Sequence, residues 1–222
     1  MTLNRASRKE ADIRLSALRK QVSLQVFTLK YEDTACREAR TAAEELAEAT
    51  SRLSVEIDDC SECGDLVRKF RIDAPPALVA AAKGAPDLRL YGVPTGYALI
   101  ALLEALTAVG APLEFKSELV DAIKDPALDG LRATRRLDLV VSRRESATAD
   151  AAAFLWRVAA ADFALGERLR IVCSVRVAED FPFWACRAGS SPALLVDGVP
   201  ALSWPFTDLD IVSLPALRAS GV

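Results

Sequence analysis

The sequence predicts an α/β chain built as two tandem modules, each a mixed central sheet flanked by helices. Three observations predict it. Short apolar runs with period-two alternation take turns with longer runs of helical period, the pattern of strands interleaved with helices. The element order of the first half, α-β-α-β-α-β-β-α, returns in the second half without its leading helix. Finally, Pro76 and Pro192 lie 116 residues apart (192 − 76) and register the two halves. At that offset Leu53 meets Leu169, Val55 meets Ile171, Ile57 meets Cys173 and Leu78 meets Leu194. An internal duplication is the economical explanation of the coincidence.

Each element has a local reason. Ser7-Arg8-Lys9-Glu10 has the capping-box spacing, and Ala11, Leu15, Leu18 and Val22 follow at helical intervals, so a first helix is expected over 7–20. Residues 23–29 read as a strand with Leu24, Val26 and Thr28 on one face, and the Ala/Glu-rich run 34–49 as a helix. Residues 53–57 alternate, a short helix carries Leu66, Val67 and Phe70, and Pro75-Pro76 opens the strand 77–80. Strand 88–91 leads through the turn Gly92-Val93-Pro94-Thr95-Gly96 into a long helix, 97–109. That turn lacks the lysine and spacing of a phosphate loop. A linker helix is expected over 116–127. The second half offers strand 137–141, helix 148–160, strand 169–175, a short helix 181–186, strand 192–196, the hairpin turn Asp197-Gly198 and strand 201–204. A closing helix over 207–218 would have to bend or end at Pro215. The expected organisation is a first module over 1–110 with its leading helix, a linker over 111–134, and a second module over 135–222.

Composition removes whole classes of function. The chain has 222 residues, 51% of them hydrophobic, and a net charge of −3. No basic field exists to hold a nucleic-acid backbone, and Arg135-Arg136 and Arg143-Arg144 are too short to create one. The longest apolar stretches are interrupted by Glu104, Arg157 and Asp162, whereas a membrane span needs roughly 20 apolar residues. Residues after Met1 run into a charged helix, so a cytoplasmic protein is expected. An odd set of five cysteines is no disulfide framework. There is no histidine, which excludes Ser–His–Asp and Cys–His catalysis and His-ligated metals. No metal or other cofactor is expected. Any chemistry falls to cysteine, carboxylate, lysine or tyrosine.

Two segments carry a family resemblance. Ile72-Asp73-Ala74-Pro75-Pro76-Ala77-Leu78 and Ala188-Gly189-Ser190-Ser191-Pro192-Ala193-Leu194 both resemble the cis-proline segment of thioredoxin-like proteins. The run from Leu88 to Tyr97, followed by Leu102–Leu106, is similar to one branch of them. That branch holds the glutaredoxin-like protein disulfide oxidoreductases and the N-terminal domain of the flavoprotein component of alkyl hydroperoxide reductase. The likeness is specific around 72–107 and weaker in the second half. It implies two thioredoxin-like modules, dithiol–disulfide exchange with a protein or small-molecule disulfide, and docking of that substrate at Pro75, Pro76, Ser191 and Pro192. It leaves a homodimer open. It also implies a CxxC where each module's first strand meets its first helix, with a thiolate favoured by the helix N-terminus.

The sequence departs from that pattern. The first such site reads Asp33-Thr34-Ala35-Cys36, with Cys36 in the resolving place and Asp33 where the attacking cysteine belongs. The second, Arg143–Asp150, has no cysteine. A carboxylate cannot replace sulfur as attacker and leaving group in disulfide exchange. Cys36 is either a monothiol site, opposed by Glu32 and Asp33 and helped by Lys30 and Arg37, or an inert thiol at a helix start. Cys60-Ser61-Glu62-Cys63, the one CxxC, lies one element late and is crowded by Asp58, Asp59 and Asp65. It is a reversible disulfide, half of a metal site completed by a second chain, or a pair of unreacted thiols. Cys173 is expected in the core, and Cys186, matching Phe70 at the common offset, is expected to pack likewise. Glu56, Asp58 and Asp59 either flank a site or are solvated edge charges. Trp156, Trp184 and Trp204 fill the core or, for the last two, line a docking groove. A non-catalytic binding module that has kept the scaffold and lost the chemistry is the alternative function.

Overall fold

A computed structural model describes residues 3–29, 31, 33–111, 115–128 and 134–214. Its first half runs α1 (Arg5–Leu15), β1 (Val22–Thr28), α2 (Thr34–Ala47), β2 (Leu53–Asp59), α3 (Gly64–Lys69), β3 (Ala77–Ala81), β4 (Leu88–Tyr91) and α4 (Tyr97–Gly110). Next come α5 (Ser117–Ile123) and a 3-10 turn, Pro126–Leu128. The second half is β5 (Arg135–Val141), α6 (Ala147–Ala164), β6 (Ile171–Val177), α7 (Pro182–Ala188), β7 (Ala193–Val196), β8 (Val199–Ser203) and α8 (Asp208–Val212). The expected Pro215 end of the closing helix, and Lys30 and Glu32 beside Cys36, lie outside the described residues.

All eight strands join one mixed sheet in the order β2-β1-β3-β4-β6-β5-β7-β8. In each half the first two strands run parallel, and the last two are antiparallel to their neighbours. The halves meet where β4 pairs in parallel with β6, Leu90 opposite Val175. One face of the sheet carries the main core, in which Leu24, Val26, Leu78 and Leu90 pack against Leu102, Leu106, Leu155 and Trp156. Helices α4 and α6 lock across the halves through Trp156, whose indole N–H donates to the Ala101 carbonyl at 3.0 Å. Apolar residues ring α4 because it is buried between both halves. The opposite face holds two smaller clusters, one under α3 (Phe27, Phe70, Ile72, Val79, Tyr91) and one under α7 (Val140, Ala188, Leu195).

Three sequence expectations shift. The first helix is capped by Asn4, whose side chain accepts from the Ser7 N–H at 2.9 Å, so Ser7 sits inside the helix and the expected capping box does not form. Asn caps at least as well as Ser, and the earlier strong cap wins. The β2/β6 register also moves. Strand β1 matches β5 at an offset of 113 (135 − 22), so the ladders Val22–Leu53 and Arg135–Ile171 make the β2/β6 offset 118 (171 − 53). Val55 therefore corresponds to Cys173. An error of two keeps every side chain on its proper face, so hydrophobic pattern alone could not expose it. The same offset of 118 matches Phe70 to Ala188, both in the clusters beneath the short helices, and Cys186 is accordingly exposed rather than packed. Cys173 is buried in the main core, as expected.

Gly96 fastens the halves at a further contact. It holds φ 55° and ψ −134°, and a Cβ there would lie 2.3 Å from the Arg143 carbonyl oxygen, which also accepts from the Tyr97 N–H at 2.9 Å. That backbone region is nearly closed to other residues. Gly96→Ala should destabilise the chain by about 2 kcal/mol, read from its denaturation midpoint. An unchanged midpoint would show that the clasp does not hold α4.

Candidate functional site

The site is built at the C-terminal ends of β1 and β2. Strand β1 stops at Thr28, whose carbonyl accepts from the Cys60 N–H at 2.9 Å just beyond β2. On the other side of β1, Phe27 pairs with Ala77, which places Pro76 beside the same strand end. The Pro75–Pro76 and Ser191–Pro192 bonds are both cis, as the resemblance implied; a third, Trp204–Pro205, was not anticipated. Helix α2 begins at this end with Asp33 as N-cap, its carboxylate accepting from the Cys36 N–H at 2.8 Å. The residue in the attacking cysteine's place has thus become a helix cap.

Three cysteines gather there. Cys36 is 0% exposed in the first turn of α2, while Cys60 and Cys63 are half-buried against the cluster of Phe27, Phe70 and Tyr91. Cys60 is within electrostatic reach of both others: its charge acts on Cys36, and that of Cys63 acts on it. No disulfide joins them. Burial pushes the Cys36 thiol up to about 11, a Leu29 backbone hydrogen bond opposing and Asp33 and Cys60 adding to the rise. Burial also lifts Cys60 to about 11, helped by Cys63, Asp59 and Asp58, and raises Cys63, where Asp58 adds. The acidic loop thus acts on the pair as its charge predicted. Asp59 folds back to accept from the Ser61 N–H at 2.7 Å, and Glu56 accepts from Gln25 at 2.8 Å. Among the described residues no group of three or more Cys, Asp or Glu is arranged to hold a metal ion.

The second half has the same frame without sulfur. Val141 takes the place of Thr28, and its carbonyl accepts from the Ala178 N–H at 2.8 Å, as Thr28 does from Cys60. The N-caps correspond too, Ser146 to Asp33 and Phe181 to Cys63. Ala149, Ala178 and Phe181 therefore stand where the first half has Cys36, Cys60 and Cys63.

The tryptophans divide. Trp204 stacks on Phe154 with ring centroids 6.0 Å apart against the main core. Trp184 instead covers a buried charge that sequence reasoning missed. Arg176, 0% exposed, is sandwiched between Tyr91 and Trp184, 4.1 and 4.3 Å from their ring centroids. It donates to Asp138 at 2.8 Å and to Asp73 at 2.9 Å, joining the halves across β4 and β6. Ser174 also donates to Asp138, and Arg136 pairs with both carboxylates. The signal was the same-face pairs Arg136-x-Asp138 and Ser174-x-Arg176 inside strands that otherwise read as apolar.

No protein family matches the sequence, and no curated protein does. Solved structures do. The alkylhydroperoxide reductase AhpF of Enterococcus faecalis superposes with a TM-score of 0.79 at 19% identity, covering 96% of this chain and 98% of that one. A protein disulfide oxidoreductase of Aeropyrum pernix gives 0.78 at 16% identity, covering 94% and 90%. The chain has the tandem thioredoxin-like fold. The Enterococcus NTD_N/C domain alone gives 0.77 at 19% identity over 95% of this chain and 98% of its own, so the likeness extends through both halves. No helix among the described residues is long and apolar enough to cross a membrane.

Proposed function

We propose that the chain is a thiol–disulfide redox protein of the cytoplasm whose working pair is Cys60/Cys63, acting on a protein or small-molecule disulfide docked near Pro75 and Pro76. The observation that carries this reading is the placement of Cys36, Cys60 and Cys63 at the same strand end as the cis-proline, with Cys60 and Cys63 packed on one cluster. One thiolate of the pair attacks the substrate disulfide, forming a mixed disulfide and releasing one substrate thiol. The second displaces the other substrate sulfur, leaving a Cys60–Cys63 disulfide and a substrate reduced by two electrons. An external dithiol then restores the pair. Thiols that are poorly ionised favour the disulfide form, so the reduced pair is a reductant rather than an oxidant. Cys36, wholly buried, has no access to substrate.

The test is reduction of insulin by dithiothreitol, comparing the parent with Cys36→Ser, Cys60→Ser and Cys63→Ser. Activity in the parent should vanish in the last two and survive in the first. Raising the Cys60 thiol from 9.0 to about 11 leaves about 100-fold less thiolate at pH 7. The greater nucleophilicity of each thiolate restores roughly tenfold. Alkylation of Cys60 should therefore run about tenfold slower than that of a free cysteine at pH 7 and rise tenfold per pH unit to beyond pH 10. A plateau near pH 8 would contradict that. The cap role of Asp33 favours a second reading, a binding module without chemistry. Parent activity no greater than buffer would establish it in place of the first.

A further inference from the structure

A cavity of about 210 Å³ opens at the seam between the halves, walled by Arg71, Arg89, Arg135 and Arg136 with Tyr91, Thr134, Val172 and Ser174. Four arginines line it and no carboxylate belongs to the wall. The carboxylates that hold three of these arginines lie outside it: Asp87 with Arg89 at 4.0 Å, Asp197 with Arg135 at 2.9 Å, and Asp138 with Arg136 at 2.9 Å. Arg89 is nearly buried, its fork fixed by the carbonyls of Phe70 at 2.6 Å and Asp87 at 3.0 Å. Arg71 differs. Its guanidinium has no hydrogen-bonding or ion-pair partner among the described residues, yet it lies close enough to oppose the charge of Arg89. Its backbone is held in the left-handed region at φ 53°, and its carbonyl accepts from the Tyr91 hydroxyl at 3.3 Å. Arg71 is exposed, so its cation is open to a ligand and stands beside the buried Arg89. A second cavity, about 360 Å³, shares Arg71, Arg89, Thr134 and Val172 but adds the carboxylates Asp87, Asp162 and Glu167 beside Lys69 and Arg170, so the wall without carboxylates is confined to the first chamber.

We infer that this seam cavity is a binding site for a phosphate-class dianion, with Arg71 and Arg89 as its principal donors and Thr134 as a hydroxyl donor. Arginine forks match the spread oxygens of phosphate, and two facing cations gain most from a ligand carrying two charges. The wall draws Arg71 and Arg89 from the first half and the rest of its donors from the second, so bound anion bridges the two and stiffens the seam. None of Cys36, Cys60 and Cys63 lines the site, and it does not depend on their chemistry.

The test measures the melting temperature of the full chain in chloride buffer of fixed ionic strength, with 10 mM inorganic phosphate, glycerol 3-phosphate or succinate added. Phosphate in roughly tenfold excess over Kd should raise it by about 3 °C. Calorimetric titration of Arg71→Gly, whose residue suits a left-handed backbone, should show at least tenfold weaker phosphate binding, without a lower melting temperature in chloride. Arg71→Asn serves as the second variant, since Asn also tolerates that conformation. Tighter binding of glycerol 3-phosphate than of inorganic phosphate would assign the site to a phosphate ester, and the reverse to free phosphate. No rise with either phosphate, an equal rise with succinate, or undiminished phosphate binding in both Arg71 variants would overturn the site.

Discussion

Arg176→Met should lower stability by about 3 kcal/mol and the melting temperature by about 6–12 °C. Removing one partner of a buried ion pair leaves the other charge in a medium that cannot solvate it, a loss of about 3–5 kcal/mol. The low end applies because Asp138 keeps Ser174 and Arg136 as partners. Asp138 is wholly buried, and burial already raises its carboxyl above the ordinary range against the pull of Ser174 and Arg136. Losing Arg176 would push it further toward the protonated form. The rings of Tyr91 and Trp184 would keep their packing against methionine, so the deficit is electrostatic. The double variant Arg176→Met/Asp138→Leu should recover most of the loss, because two apolar groups of similar volume leave no orphan charge. A double variant as unstable as the two singles summed would mean that the pair is not coupled.

That network marks the limit of what the sequence could tell. Element order and the tandem architecture were readable because burial imposes a period on Leu24, Val26, Leu78 and Leu90, and period survives without any knowledge of partners. Register was less readable. An offset two residues wrong at Val55 and Cys173 preserves the face of every side chain, and only the hydrogen-bond ladder distinguishes 116 from 118. The thiol cluster was half readable. Cys36 and the Cys60/Cys63 pair each stood out, but as separate candidates, since 24 residues (60 − 36) and a whole helix and strand lie between them. Parallel pairing of β1 with β2 brings them to one strand end. Cys186 misled for the reciprocal reason, since a residue matched by counting inherits a neighbour's environment only if the count holds through every turn. Arg71 carries no sequence signal, because both its left-handed backbone and its lack of a partner are properties of the fold.

A second buried charge makes stability depend on pH in a direction opposite to most carboxylates. Asp162 is 2% exposed near the end of α6, and burial pushes its carboxyl from 3.8 up to about 6. The Leu169 N–H, donating at 2.7 Å, opposes that rise most, Glu167 adds to it, and the N–H groups of Ile171 and Arg168 oppose it further. Between pH 4 and 6 the folded chain holds a proton that the unfolded chain has lost. The group's contribution therefore favours the fold as pH falls through 6, and its burial penalty is complete above that pH. The penalty accumulated between pH 4.5 and 7.5 is about 2 kcal/mol. Burial raises Asp58, Asp87 and Asp138 in the same sense, whereas Glu179 is lowered and runs the other way. The contribution of Asp162 must therefore be isolated as a difference. Asp162→Asn keeps an oxygen to accept from Leu169 but cannot ionise. Relative to the parent it should gain about 2 kcal/mol more at pH 7.5 than at pH 4.5 in urea denaturation. A constant difference across that range would show that the carboxylate is solvated well enough to stay ionised, and that the loop from Gly166 to Leu169 opens to water in the folded state.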